Sequence, residues 1–153
     1  MENLLDTIRN AARAIIIRDR KLLVLKKTDG SYTLPGGASD PGETLEQGLQ
    51  RECLEEIGTE VTINRLVYVG DYFKPKESVP PSIRHQVEFL FDCSVSEHYI
   101  AQSGHHPDKR QVAVLWIDID DLENQPLYPV SLKECINRLG DNSPVYIGVM
   151  KHL

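Results

Sequence analysis

Long apolar runs are missing from this 153-residue chain: the longest, Val112 to Ile117, has six residues, against the roughly 20 that a membrane-spanning helix requires. The polar stretch Met1 to Asn10 carries no apolar core of the kind a secretory signal needs. A cytoplasmic protein is the expectation. Cysteine is scarce, with three residues, Cys53, Cys93 and Cys135, set far apart. That spacing excludes a legible disulfide framework and any CxxC zinc or redox motif, and it leaves reduced, buried thiols. Positive charge is also in deficit, since 17 Lys and Arg against 23 Asp and Glu give a formal charge of -6. Broad binding to a nucleic acid polymer or an anionic membrane relies on clustered cations, so neither partner is expected. If the substrate is an anion, something positive must screen it locally, and metal ions held by acidic side chains are the obvious means.

Repeats, low-complexity tracts and linkers rich in Gly, Ser or Pro are absent as well. One domain over residues 1–153 is therefore expected, a length that buries one substantial core and is too short for two. Within it, Ala11 to Arg18 and Lys21 to Lys27 are aliphatic runs separated by Asp19-Arg20, the pattern of a strand, tight turn and strand. Ser31 to Leu34 reads as a short strand leading into Pro35-Gly36-Gly37. From Glu43 to Ile57, Leu45, Leu49, Cys53 and Ile57 recur every four residues, which predicts a helix with one apolar stripe, stopped by Gly58. Further strands are predicted at Val61 to Phe73, Gln86 to Ser94, Val112 to Asp118 and Val145 to Val149, with a polar loop at Ser96 to Arg110. A second helix is predicted at Ser131 to Leu139. Strands outnumber helices without alternating regularly with them, so the fold class is α+β with a mixed sheet and helices on its faces.

The chemistry concentrates between Leu34 and Val61. On the predicted helix Glu52, Glu55 and Glu56 lie three and four residues apart, so their carboxylates share one sector and repel one another. Glutamates on a helix are ordinarily a solvated face. A hard divalent cation such as Mg²⁺ removes the conflict by taking carboxylate and water oxygens, and it commonly bridges such carboxylates to substrate phosphates.

The spacing of Gly37, Glu43, Arg51-Glu52, Glu55-Glu56 and Gly58 resembles the signature of the Nudix hydrolases at every invariant polar and glycine position. At about 7% occupancy per position, seven such matches arise by chance about once in 10⁸ windows. Two positions that usually hold bulky aliphatics carry Cys53 and Thr59 instead. The strong likeness spans some 25 residues, and the preceding hairpin and the Trp116-Ile117 strand extend a weaker one over nearly the whole chain.

This resemblance implies a helix, sheet, helix sandwich (α/β/α, mixed sheet) with a loop-helix-loop catalytic motif. It also implies a pyrophosphohydrolase that cleaves a phosphoanhydride bond in a nucleoside diphosphate linked to another moiety: a nucleotide, ADP-ribose-like compound or nucleotide sugar. Glu52, Glu55 and Glu56 are the implied ligands of Mg²⁺ (or Mn²⁺), with a backbone carbonyl of Gly36 or Gly37 as a further oxygen. Glu43 and Arg51 are the implied supports that fix the loop against the helix, and Gly37 and Gly58 shape the motif. Glu52 or Glu55 is the implied general base, and a later acid, Asp108 or Glu88, is a candidate extra ligand or base. Gln111 cannot act as a base.

Arg13, Lys27 and Arg84, with Lys26, are candidate phosphate contacts, although lone basic residues mostly face solvent. Tyr32, Tyr72 and Phe73 are candidate stacking residues, although strand aromatics mostly serve a core. Pro75 lies where relatives acting on ADP-ribose-like compounds often carry proline, and it equally marks the end of a strand. His105-His106 point to opposite faces if extended and fit a polar loop. Two other functions share the signature: a nucleotide sensor without hydrolysis, and an RNA 5′-end pyrophosphohydrolase, against which the acidic charge counts. Many members of the family are dimers, so a homodimer is open.

Overall fold

The computed structural model describes residues 3–141 and 145–153. The expected domain over 1–153 thus includes residues 1, 2 and 142–144, which lie outside the described residues. Strand β1 (Arg9–Arg18) turns through Asp19 and Arg20, at φ 53° and 60°, into β2 (Lys21–Lys27). Two successive positive φ angles match a turn's twist to that of its strands. Then come β3 (Tyr32–Thr33), β4 (Gly36–Ala38), helix α1 (Leu45–Ile57), the long strands β5 (Thr62–Lys76) and β6 (Ser82–Ser94), and β7 (Gln111–Asp118). A 3₁₀ turn (Ile119–Asn124), helix α2 (Ser131–Asn137) and β8 (Tyr146–Met150) complete the chain.

The strands join in the order β3-β2-β1-β6-β5-β8, with β4 added on β1 and β7 on β2. Pairing is mixed: β1 runs parallel to β6 and β5 parallel to β8, and the other neighbours are antiparallel. The period of two along a strand sends alternate side chains of β1 to opposite faces. Ala12, Ala14 and Ile16 meet Leu49, Cys53 and Ile57 of α1, whereas Ile15 meets Leu132, Cys135 and Ile136 of α2 on the other side. The sheet is therefore sandwiched between helices, as expected. Each fully buried Leu or Ile contributes about 1.5–3 kcal/mol. All three cysteines are free and buried.

Several boundaries differ from the sequence reading: β6 begins at Ser82 rather than Gln86, α2 ends at Asn137 rather than Leu139, and β1, β7 and β8 shift by one or two residues. The first helix starts at Leu45, two residues after Glu43, because Thr44 forms a capping box with Gln47: its hydroxyl accepts from the Gln47 N–H at 3.1 Å and the Gln47 side-chain Oε1 accepts from the Thr44 N–H at 2.9 Å. Strand β5 runs through Pro75 to Lys76 rather than stopping at Phe73. β8 pairs with β5 only as far as Tyr72, so Pro75 sits on a free edge where its missing N–H leaves no ladder bond open.

Candidate active site

Between β4 and α1 the chain is closed by one ion-pair network. Arg51 donates from Nε to Glu43 at 2.8 Å and from Nη2 to the other Glu43 oxygen at 3.0 Å, the forked geometry a guanidinium makes with a carboxylate. Glu43 also accepts from the Asp40 N–H at 2.8 Å. Arg51's hydrogen bonds, and after them Asp40's, pull its carboxyl down to about 2. The remaining Arg51 donors reach Glu52 at 3.1 Å, Glu55 at 3.5 Å and the Ala38 carbonyl at 3.3 Å. One guanidinium thus ties the loop, β4 and two helix carboxylates together.

The three glutamates share an edge of α1 but not an environment. Glu56 is 4% exposed and accepts from the Gly36 N–H at 2.8 Å. Burial, opposed by that bond and assisted by Glu52, pushes it up to about 8. Glu52 is half-buried and packs flat on Gly37, where a Cβ would stand 2.9 Å from its carboxyl carbon. Burial raises its pKa against the pull of Arg51. Glu55 is the most open of the three, its side chain 36% exposed.

Gly36 has no substitute: its φ is 133°, and a Cβ there would stand 2.0 Å from the Ala12 carbonyl oxygen. Its own carbonyl accepts from Arg13 Nη1 at 3.0 Å. At the far end of the helix Gly58 provides the left-handed cap at φ 73°. Among the described residues, no three acidic, His or Cys side chains converge into a ready-made ion cage.

From this edge a cavity of about 620 Å³ opens. Glu56, Gly36, Arg13, Glu88, Lys27 and Asp108 line it, so residues from distant parts of the sequence meet there. Arg13 Nε lies 3.3 Å from the buried Glu88, and Lys27 is paired with Asp108. Burial alone raises the Asp108 carboxyl, but the hydrogen bond and charge of Lys27 outweigh it and leave the pKa below its usual value. Tyr72, Tyr128 and His152 form an aromatic wall: the Tyr72 and His152 rings stack with centroids 6.1 Å apart, and the Tyr72 hydroxyl meets His152 Nδ1 at 2.6 Å. A smaller hollow of about 350 Å³ between α2 and β8 contains none of the motif.

Arg84 is not brought to the cavity. Its Nη1 donates to the Thr7 carbonyl at 3.0 Å and the Thr7 hydroxyl at 2.6 Å, so its charge serves the start of β1 rather than the site. Phe73 turns to the opposite face and stacks on His85 at 4.6 Å, and Tyr32 packs against the core. His105 and His106 do lie in a loop, and that loop caps the helix. The Gly104 and His106 N–H groups donate to the Glu56 and Glu55 carbonyls at 3.0 and 3.1 Å.

Gln111, dismissed as a base, completes this cap by donating its side-chain amide to the Glu56 carbonyl at 2.8 Å. It was missed because α1 gives no local signal of what receives its last carbonyls. Lys74 was missed too, and its signal was present: it lies two residues beyond Tyr72, on the same face of β5, and lines the cavity.

A mixed sheet between two helices, with a glutamate-edged helix locked to a glycine strand at the mouth of a polar cavity, is the architecture of a Nudix-type hydrolase. The NUDIX domain family model matches residues 7–139, and the chain belongs to that family. A MutT-like protein of Streptomyces ambofaciens is 26% identical over 94% of this chain and 85% of its own length. An ADP-ribose pyrophosphatase of Methanocaldococcus jannaschii is 36% identical over 42% of this chain and 40% of its own. The crystal structure of a MutT NUDIX hydrolase from Burkholderia pseudomallei superposes with a TM-score of 0.64 at 27% identity, covering 88% of this chain and 99% of that one. Such relatives make the chain a hydrolase acting on pyrophosphate bonds. No helix among the described residues is long and apolar enough to cross a membrane.

Proposed function

We propose that this protein is a Mg²⁺-dependent pyrophosphohydrolase that cleaves a phosphoanhydride bond in a nucleoside diphosphate linked to another moiety. Glu52, Glu55 and Glu56 would hold the metal, with a carbonyl oxygen of Gly37 beside them. The observation that carries this reading is Glu56: a carboxylate 4% exposed, with the Gly36 N–H as its hydrogen-bond donor, set on the wall of the cavity. Burying such a group costs several kcal/mol unless a cation meets it. The oxygen-only donor set suits Mg²⁺, which keeps several waters and relies on substrate phosphates more than on an all-protein cage.

When bound, the metal would acidify a water and screen charge spreading on the phosphates. The protein's own part follows from the geometry. Arg51 orients Glu52 and Glu55 through bonds of 3.1 and 3.5 Å, which is how outer partners tune a metal site. Proton removal falls to Glu52 or Glu55. Arg13 and Lys27 present cations to the substrate phosphates, each held in place by one acid, Glu88 or Asp108.

The test is release of phosphate or nucleotide from dNTPs, ADP-ribose, nucleotide sugars and dinucleoside polyphosphates, in Mg²⁺, in Mn²⁺ and in EDTA. Turnover that requires metal is expected. Inactivity on the whole panel with both metals overturns the proposal in favour of a nucleotide-sensing domain.

A further inference from the structure

Along β5 the residues that line the cavity run Tyr72, Lys74, Lys76, one every second position, so the row spans about 13 Å at 3.3 Å per residue. Its inner end joins the aromatic wall with Tyr128 and His152. Its outer end meets Lys109 and Arg110 at the rim, where Arg110 is paired with Glu77 of the same hairpin. The cavity is therefore polarised, with rings at one end and cations at the other, and Arg13 of β1 and Glu56 of α1 line it as well.

The cations differ in one respect. Arg13 has Glu88 and Lys27 has Asp108 within ion-pair distance, whereas Lys74 is not ion-paired with any carboxylate among the described residues. It is surrounded instead by Arg13, Lys27 and Lys76, and the two acids whose charge reaches it, Glu88 and Asp108, are already paired with Arg13 and Lys27. A cation in a crowded basic corner with no acid of its own is short of negative charge.

We propose that Lys74 is a specificity residue that receives a terminal phosphate on the departing half of the substrate, so that this enzyme favours nucleotides whose second half ends in phosphate over those ending in a neutral sugar. The inference rests on the hydrolase reading above and refines it. A base or ribose against Tyr72, Tyr128 and His152 leaves the phosphate chain to pass Arg13 and Lys27 toward Lys74 and the lysines at the rim. A neutral sugar at that end leaves Lys74 uncompensated, whereas a phosphate makes a charge-assisted hydrogen bond with it.

The test compares a nucleoside triphosphate with a nucleoside diphosphate sugar of the same base, in the wild type and in Lys74→Gln and Lys74→Arg. For the triphosphate, Lys74→Gln raises KM by about 10- to 100-fold, the loss of one hydrogen bond to a charged group, with kcat changed much less. For the sugar nucleotide KM moves little, and Lys74→Arg restores most of the triphosphate affinity. An equal loss on both substrates, or no rescue by arginine, overturns the assignment.

If the wild type hydrolyses neither compound, calorimetric binding of an α,β-methylene triphosphate and of the sugar nucleotide separates the two questions. A selective loss of triphosphate binding in Lys74→Gln upholds the Lys74 assignment although the hydrolase reading fails. Unselective binding, or none, overturns it.

Discussion

Replacing Glu56 by glutamine removes a charge while keeping the oxygen that accepts the Gly36 N–H at 2.8 Å, so the variant separates the structural task of this side chain from its electrostatic one. In the metal-free protein burial, first among the causes, raises the carboxyl from 4.5 to about 8. A group whose folded value lies above its unfolded value stabilises the fold fully below the lower figure. That contribution is lost as pH climbs through the higher one. At pH 7 the unfolded chain has released the proton and the folded chain largely keeps it. Two and a half pH units at about 1.4 kcal/mol per unit put the loss at about 3 kcal/mol.

Glutamine escapes this loss. In EDTA at pH 7, Glu56→Gln should therefore melt about 6–12 °C above the wild type, given the entropy of unfolding of a domain this size, and the gap should close toward pH 5. Saturating Mg²⁺ should stabilise the wild type by ligand linkage and leave the variant nearly unmoved, while hydrolysis in the variant falls by orders of magnitude. Thermal melts at several pH values, with and without metal, decide the matter. A variant no more stable than the wild type in EDTA at pH 7, or a gap that does not widen between pH 5 and 8, refutes the reasoning.

Glu55→Gln, at a more open position, should keep the melting temperature and lower turnover by orders of magnitude, because it removes a charge the metal needs; near-normal rates would take Glu55 out of the site. Gly37→Ala places a methyl 2.9 Å from the Glu52 carboxyl, a flexible neighbour that can yield, so activity should fall far more than stability in paired kinetic and denaturant measurements. Gly36→Ala meets the Ala12 carbonyl at 2.0 Å and should cost more than about 3 kcal/mol in a urea titration, the scale of severe core strain. Gln111→Ala leaves the Glu56 carbonyl with the Gly104 N–H alone. A loss of about 1 kcal/mol is expected, with a measurable drop in kcat as the helix end loosens.

What could be read along the chain was whatever a local rule governs. Leu45, Leu49, Cys53 and Ile57 announce a helix because the apolar stripe has a period of its own, and all but Leu45 are fully buried. The common edge of Glu52, Glu55 and Glu56 follows from helical spacing in the same way. Their inequality does not: Glu56 is buried because β4 is drawn onto β1 so closely that only a glycine fits at position 36, a contact made across two dozen residues of intervening chain.

Arg84 and Lys74 show where pattern gives way to distance. Arg84 shares a face of β6 with Glu88 by strict alternation, which makes it an attractive phosphate contact on paper. Four residues of extended strand nevertheless carry it about 13 Å along the sheet, within reach of Thr7. Lys74 is paired directly with Arg84 across the β5-β6 ladder, yet it lines the cavity. Two cations at one rung thus have different fates: one donates to the chain entering β1, and the other is left to face whatever anion enters. Alternation along a strand assigns a side chain to a face. Which cation on that face is left without a partner depends on the strands and loops that pack over it.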